Sequence, residues 1–168
     1  MTVLETERLS LRQLTVDDAQ FILKLLNEPS FLRYIGNKQV RNLADAEAYI
    51  LNGPVASYER NGFGLYLVEL RESYTPIGMC GFLKREELPD PDIGFAFVPE
   101  FWSQGFAFEA ATALLQDARE RLKLRRILAV TSLDNDASIK LLERLAFRFE
   151  GVTQLAADRE QIKLFATD

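Results

Sequence analysis

Residues 92–110, with the sequence DIGFAFVPEFWSQGFAFEA, predict a strand, a short loop and the first turns of a long helix. The run from Asp92 to Val98 favours the strand, and Pro99 ends it because proline has no N–H for a sheet hydrogen bond. Gly105 then opens the helix. The unpaired N–H groups of such a helix start, together with the helix dipole, attract anions such as phosphates. The same pattern also fits a junction that only turns the chain.

Apolar periodicity divides the rest of the chain into strands and helices. Thr15 and Asp18 form the pattern of a capping box before the first helix. The pattern predicts a first helix after residue 18, a second at 43–51 and a short third that begins at residue 54. Two further helices are predicted at 105–122 and at 135–145. The predicted strands lie at 8–12, 63–70, 77–83, 92–98, 127–131, 147–152 and 161–165. The pattern predicts one α/β (α+β) domain with a mixed sheet over residues 1–168.

The composition excludes several classes of chemistry. The 168 residues include no histidine, which excludes Ser-His-Asp catalysis, Cys-His catalysis and histidine–zinc sites. Cys80 is the one cysteine, so it can form neither an internal disulfide nor a thiolate metal cluster, and we expect a small buried residue. No metal is expected. The net charge of −5 argues against a nucleic-acid partner, because binding phosphates requires a basic face.

The sequence shows no sign of a membrane or secreted protein. No apolar run approaches the roughly 20 residues that a membrane span requires. Residues 1–7 carry Glu5 and Glu7 where a signal peptide has a basic flank and an apolar stretch. Together with the single cysteine, these observations lead us to expect a cytoplasmic protein with no membrane partner.

Three segments resemble the motifs of one enzyme family. Residues 101–110, FWSQGFAFEA, resemble the signature YWGQGYATEA of the GNAT superfamily of N-acetyltransferases, and its Rim-type branch of ribosomal-protein N-terminal acetyltransferases in particular. Residues 135–151 are similar to that branch's N-x-x-S-x-x-L-L-E-K-x-G-F-x-x-E-G, and residues 6–12, TERLSLR, to its T-E-R-L-x-L-R. The resemblance implies a mixed, strongly twisted sheet flanked by helices on both faces. It also implies acetyl transfer from acetyl-CoA to a primary amine.

The resemblance further implies which residues bind acetyl-CoA. The loop and the helix start would bind the pyrophosphate through their backbone, at Gln104, Gly105, Phe106, Ala107 and Phe108. At the end of the preceding strand, Phe97 and Val98 would pair with the pantetheine arm, and their N–H groups would stabilise the oxyanion of the thioester. Asn135 would hydrogen-bond pantetheine, although Asn135 three residues before Ser138 also fits an ordinary helix cap.

Two residues are implied in proton transfer. Asp92 lies where relatives place a carboxylate that receives the proton of the amine, directly or through water, although it also fits a turn residue at a strand start. Ser138 corresponds to a serine proposed to assist the departing thiolate. Leu142 occupies the position of the tyrosine acid found elsewhere in the superfamily, so no tyrosine mechanism is expected. Ala146 replaces the usual glycine, a mild change unless this residue requires a positive φ.

The acceptor amine is open at this stage. A free α-amino group has a pKa of about 8 and a lysine side chain one of about 10.4, so a site without a strong base favours a protein N-terminus. The alternatives are a small amine, such as an aminoglycoside, a polyamine or an amino-acid analogue, and a non-catalytic acyl-CoA sensor. The net charge of −5 favours a neutral or cationic acceptor. Residues 17–60 would build the acceptor site, in a monomer or a homodimer.

Overall fold

The computed structural model describes residues 1–167 and contains one eight-stranded sheet. Its strands are β1 (Thr2–Glu5), β2 (Leu9–Gln13), β3 (Leu65–Leu70), β4 (Pro76–Leu83), β5 (Asp92–Phe97), β6 (Leu128–Ser132), β7 (Arg148–Gln154) and β8 (Gln161–Ala166). The helices are α1 (Ala19–Leu26), α2 (Pro29–Tyr34), α3 (Leu43–Ile50), α4 (Ala56–Asn61), α5 (Phe106–Glu120) and α6 (Asp136–Arg144). Short 3-10 turns cover Val16–Asp18 and Pro99–Phe101. These elements confirm the predicted α/β (α+β) class.

The sheet is mixed, as predicted, and its strand order is β1-β2-β3-β4-β5-β6-β8-β7. Every neighbouring pair is antiparallel except β5 and β6, which run parallel. These two strands pair only at Asp92 and Leu128. Because β5 continues to Phe97 and β6 to Ser132 without further pairing, a gap opens between them toward their carboxyl ends.

Helices cover both faces of the sheet, as expected. α5 packs on one face through small and apolar side chains that include Ala110, Ala111 and Leu114, all fully buried. α6 adds Leu142 to the same cluster. α1 and α3 cover the opposite face, where Ile22 belongs to a second buried cluster. The alanines of α5 allow its backbone to lie close to the sheet, which brings the start of this helix next to the end of β5.

Three local features differ from the sequence prediction, and the first is α2, which begins at Pro29 although the pattern predicts that a helix ends there. Apolar periodicity does not predict β1, because four residues are too few to show a period and the strand depends on its pairing with β2. Pro54 lies inside a π-helical turn, Leu51–Val55, that joins α3 to α4, and not at the start of a helix as predicted. Proline lacks an N–H and its ring obstructs the usual helical bond, so the helix widens there. The capping box of Thr15 and Asp18 is confirmed.

Ala146 ends α6 in a left-handed conformation, with a φ of 67°. Its N–H donates to the carbonyl of Glu143 at 3.0 Å, and the N–H of Phe147 donates to that of Leu142 at 3.0 Å. Glycine is the usual residue at such a helix end. The replacement of glycine is therefore not mild, because an alanine in this conformation costs roughly 1 kcal/mol.

Candidate functional site

The gap between β5 and β6 begins directly after their single paired position. The N–H of Leu128 donates to the carbonyl of Pro91 at 2.9 Å, so the two strands are joined at the closed end of the gap. Toward its open end, the gap is bordered by the end of β5 on one side and by the loop from β6 to α6 on the other. A linear ligand can therefore lie beside β5 and bond to backbone groups that β6 leaves unpaired.

The backbone of β5 presents alternate residues to the gap. The N–H of Val98 donates to the carbonyl of Ile77 at 3.0 Å and therefore points toward β4. Neighbouring residues of a strand direct their N–H and C=O groups to opposite sides, so those of Phe97 and Phe95 point toward the gap. The Val98 N–H is thus already bonded within the sheet, which contradicts the prediction that it meets a thioester. The N–H of Phe97 has the required direction.

Trp102 provides independent support for this orientation. Its indole Nε1 donates to the carbonyl of Phe97 at 2.8 Å, from the side away from β4. The indole therefore hydrogen-bonds one backbone carbonyl at the open end of the gap, and Trp102 remains 46% exposed. Because it is the chain's one tryptophan, its fluorescence reports on this position.

Asp92 lies at the closed end of the gap and is fully buried. Both of its carboxylate oxygens accept hydrogen bonds from Nε of Arg85, at 3.0 and 3.2 Å. Burial raises the pKa of Asp92, and the nearby Arg85 guanidinium offsets only part of this rise. By alternation along β5, its side chain shares a sheet face with Ala96, which packs in the cluster of α1 and α3. The carboxylate therefore lies on the sheet face opposite α5.

The start of α5 leaves several backbone donors without a helical partner. The N–H of Glu109 donates to the carbonyl of Gly105 at 3.0 Å, which is the first bond of the helix. The N–H groups of Phe106, Ala107 and Phe108 consequently have no partner within the helix, and no side chain caps it. Ser103 and Gly105 both have positive φ, 60° and 82°, and turn the loop into the helix. The five backbone positions predicted for the pyrophosphate thus lie together.

Gly105 is required by its conformation. A φ of 82° strains any residue with a side chain, and a Cβ at this position would lie 3.4 Å from Nη2 of Arg8. The side of Gly105 on which any other residue would carry its Cβ therefore faces Arg8. The sequence explains this glycine by the close approach of a phosphate, and the structure adds the left-handed turn as a reason.

Arg8 and Glu109 also belong to this region, although sequence reasoning assigned neither to the site. Nε of Arg8 donates to Oε1 of Glu109 at 2.7 Å, and Nη1 donates to the carbonyl of Gln104 at 3.0 Å. The guanidinium lies 4.2 Å from the ring centroid of Phe106. Both residues occur in the quoted motifs, TERLSLR and FWSQGFAFEA, but nothing local indicates that the two motifs meet.

Asn135 and Ser138 lie at the start of α6, across the gap from the end of β5. Oδ1 of Asn135 accepts a hydrogen bond from the N–H of Ser138 at 3.3 Å, so Asn135 caps the helix, which is the second interpretation that the sequence allows. Within residues 1–167, the Ser138 hydroxyl makes no hydrogen bond and the side chain is half-buried. Arg144 of α6 lies over the ring of Phe108, 4.3 Å from its centroid, so α6 also contacts the start of α5.

An open cavity of about 400 Å³ adjoins the end of β6. Arg33 of α2 spans this region to reach Asp134, with Nη2 and Oδ2 3.3 Å apart. The cavity is lined by Arg33, Ser132, Leu133, Asp134, Glu160 and Gln161. It therefore offers charges of both signs where β6 ends and β8 begins.

The cysteine and the acidic residues show no further site. Cys80 is fully buried, and burial raises the pKa of its thiol, as expected of a core residue. Among residues 1–167, no group of histidine, cysteine, aspartate and glutamate side chains could hold a metal ion. None of the helices described in the same residues is long and apolar enough to span a membrane.

Comparisons with known proteins agree on one family. A model of the acetyltransferase (GNAT) domain matches residues 8–148. The chain is 33% identical over 151 residues to the uncharacterized N-acetyltransferase YoaA of Bacillus subtilis, covering 89% of this chain and 85% of that protein. It is 32% identical over 166 residues to the uncharacterized N-acetyltransferase p20 of Bacillus licheniformis, covering 97% of this chain and 90% of that protein.

Solved structures share the fold at lower identity. The chain superposes with a TM-score of 0.85 and 20% identity on RimL, a ribosomal L7/L12 alpha-N-protein acetyltransferase in complex with coenzyme A. The alignment covers 99% of this chain and 97% of that one. An acetyltransferase from Agrobacterium tumefaciens gives a TM-score of 0.84 at 24% identity, over 100% of this chain and 94% of that one. At this level the likeness shows the fold.

Proposed function

Because the chain belongs to the acetyltransferase (GNAT) domain family and is an N-acetyltransferase, we propose that it transfers acetyl from acetyl-CoA to the free α-amino group of a protein. The observation that carries this proposal is the gap between β5 and β6, with free N–H groups at its open end. An extended thioester with a pyrophosphate at one end fits both features. One domain, residues 1–168, would act in a ternary complex without an acetyl-enzyme intermediate.

In this proposal, the pyrophosphate binds at the start of α5. The backbone from Gln104 to Phe108 provides N–H groups, and the helix dipole favours negative charge there. The pantetheine arm then extends along β5 inside the gap, where the N–H of Phe97 donates to it. Asn135 lies on the other wall and supplies its amide to the same arm. Trp102 already donates to the carbonyl of Phe97, which leaves pantetheine the second lone pair of that oxygen and the N–H of the same residue.

The transfer itself forms one bond and breaks another. The amine attacks the thioester carbonyl, and the carbonyl oxygen becomes an oxyanion. The N–H groups of Phe95 and Phe97 both face the gap but lie about 7 Å apart along β5. The N–H of Phe95, deeper in the gap, is therefore the proposed donor for this oxyanion, while that of Phe97 bonds the pantetheine arm. When the tetrahedral intermediate collapses, the carbon–sulfur bond breaks and the thiolate takes a proton that water supplies, either directly or through the Ser138 hydroxyl, which passes on its own proton and takes one from water.

Asp92 is the group proposed to receive the amine's proton. Its side chain is fully buried and both oxygens contact Arg85, so the proton reaches it through water. Burial raises the pKa of this carboxyl, which makes the carboxylate a stronger base than an exposed aspartate. A modest base is sufficient for an α-amino group, because its pKa is about 8.

The cavity beside β6 supports a peptide as acceptor. A peptide N-terminus presents an ammonium followed by carbonyl groups, and the cavity offers the carboxylate of Glu160 to the ammonium, beside the ion pair of Arg33 and Asp134. RimL, which shares the fold, is described as an α-N-protein acetyltransferase. The chemistry and the fold both favour the same acceptor class.

Mass spectrometry of three acceptor sets tests the proposal. The first set contains peptides with a free α-amino group, the second the same peptides blocked at that group but carrying lysine, and the third polyamines and aminoglycosides. Each is incubated with acetyl-CoA, with and without the protein. We expect enzyme-dependent acetylation of the first set. Acetylation confined to the third set would establish a small-molecule acetyltransferase, and CoA binding without turnover on any set would contradict the proposed acceptor altogether.

A further inference from the structure

The turn between β1 and β2 holds the first turn of α5. The carboxylate of Glu109 accepts three hydrogen bonds from this turn: from the hydroxyl of Thr6, from the N–H of Arg8 at 2.9 Å and from Nε of Arg8 at 2.7 Å. Nη1 of the same arginine reaches the carbonyl of Gln104 at 3.0 Å. The Arg8 side chain therefore bonds the backbone carbonyl of Gln104 and the side-chain carboxylate of Glu109.

Glu109 is an unfavourable neighbour for a phosphate. A carboxylate in the first turn stabilises the free helix through the dipole. The same negative charge repels a pyrophosphate bound at that helix start. Burial alone would raise the pKa of Glu109, but hydrogen bonds from Thr6 and Arg8 outweigh it and lower the pKa, so the carboxylate stays ionised. A bound anion is therefore compatible with Glu109 only if its charge is neutralised.

Arg8 also orients the peptide bond between Gln104 and Gly105. In a trans peptide the C=O and N–H groups point in opposite directions. Because the Gln104 carbonyl points to Arg8, the N–H of Gly105 points away from Arg8, to the open side of the loop. The stacking of the guanidinium on Phe106 restrains the side chain that sets this direction.

We propose that Arg8 is a positioning residue for the pyrophosphate of CoA: it neutralises Glu109 and turns the Gly105 N–H toward the anion. This inference rests on the proposed function, which places the pyrophosphate at the same loop. Arg8 acts from the far side of the loop and does not touch the ligand. Arg71 is the matched control, because it donates to the carbonyl of Thr6 at 2.8 Å in the same turn but is not bonded to Gln104 or Glu109.

Calorimetric titration of the full chain with CoA and with pantetheine, which lacks every phosphate, tests this role. We expect Arg8→Ala to weaken CoA binding at least about tenfold and to leave pantetheine binding unchanged, because only CoA carries the anion. Arg71→Ala removes an equal charge that contacts the same turn from the end of β3, and it should leave both affinities unchanged. The double variant Arg8→Ala/Glu109→Gln should regain part of the lost CoA affinity, since it no longer carries the unpaired carboxylate but still lacks the bond to the Gln104 carbonyl.

Each outcome has one meaning. If the unmodified chain binds CoA no more tightly than pantetheine, the proposed pyrophosphate site is wrong. If it does prefer CoA and Arg8→Ala keeps the full preference, only the role of Arg8 is overturned. A double variant that regains no affinity overturns neutralisation of Glu109. If Arg8→Ala does not fold, Arg8→Lys replaces it. Lysine keeps the charge but loses the hydrogen bond to the Gln104 carbonyl, so this variant should lose CoA affinity without losing pantetheine affinity.

Discussion

α5 and α6 both begin beside the gap, but their first turns are completed differently. At α6, the side chain of Asn135 accepts from the N–H of Ser138. At α5, the residue before the helix is Gly105, which has no side chain, and Glu109 is bonded to the β1–β2 turn. A side chain that caps a helix competes with an external anion for the same N–H groups. The comparison therefore separates a helix start that a side chain caps from one whose first N–H groups no side chain caps.

Replacing Gly105 with valine should remove the open start. A φ of 82° is strained for a β-branched residue, so the loop has to rearrange. Unmodified protein should gain about 2.7 kcal/mol from CoA at ~100 times its Kd. In the variant we expect at least about a tenfold loss of affinity, which removes about half of this gain or more. Thermal unfolding with and without CoA measures it, with Trp102 fluorescence as a second readout.

Gly62→Val is the matched control for that experiment. Gly62 has a φ of 79°, almost that of Gly105, and lies at the end of α4. The Gly62→Val variant should lower the free energy of unfolding about as much as Gly105→Val does, but CoA should stabilise it as much as it stabilises the unmodified protein. If CoA stabilises Gly105→Val as much as the unmodified protein, the open start of α5 does not bind the pyrophosphate.

Asp92→Asn tests the closed end of the gap, away from both helix starts. We expect the rate to fall at least about tenfold below pH 8, where the α-amine is mostly protonated, and less above it. Because burial raises the pKa of Asp92, the unmodified enzyme should also lose its base at a higher pH than an exposed aspartate would. The measurement is kcat/KM against pH, with the exposed Glu86→Gln of the loop before β5 as control. Identical profiles would rule out Asp92 as the proton acceptor.

Ser138→Ala sharpens the comparison at α6, because the cap uses the backbone of this residue and the proposed chemistry uses its hydroxyl. Removing the hydroxyl should lower kcat by about five- to tenfold, with water protonating the thiolate in its place. The N–H bond to Asn135 survives, so the unfolding temperature should not change. An unchanged kcat would remove the serine from the mechanism.

Asn135 separates capping from ligand binding. Asn135→Ala should lower the free energy of unfolding by about 1 kcal/mol, while Asn135→Ser should restore it because serine also caps helices. If the amide also bonds pantetheine, the serine variant should remain weaker than the unmodified chain in CoA titrations. Full recovery of both properties would leave Asn135 as a cap alone.

The smallest effect is expected at the other end of α6. Ala146→Gly relieves a positive φ of 67° and should raise the free energy of unfolding by roughly 0.5–1 kcal/mol. For a chain of this length that is roughly 2 °C in the unfolding temperature. CoA affinity should not change. A lower unfolding temperature would mean that contacts of the Ala146 side chain stabilise the protein by more than its positive φ costs.

Patterns between near neighbours allowed much of the site to be predicted. The strand that ends before Pro99, the glycine-led start of α5 and the cap of Asn135 on Ser138 depend on residues a few positions apart. Such features follow from caps, proline geometry and apolar periods. β1 could not be predicted, because its formation depends on a partner strand.

The sequence by itself determined that this protein works without histidine and that a glycine precedes the helix start at residue 106. Only the tertiary structure decided that Phe97, and not Val98, turns its N–H to the gap, because that direction follows from the pairing of β5 with β4. It also decided the partner of Glu109, since Arg8 lies 101 positions away in the chain. Strand pairing and distant ion pairs exist only when packing brings their segments together, so no local pattern encodes them.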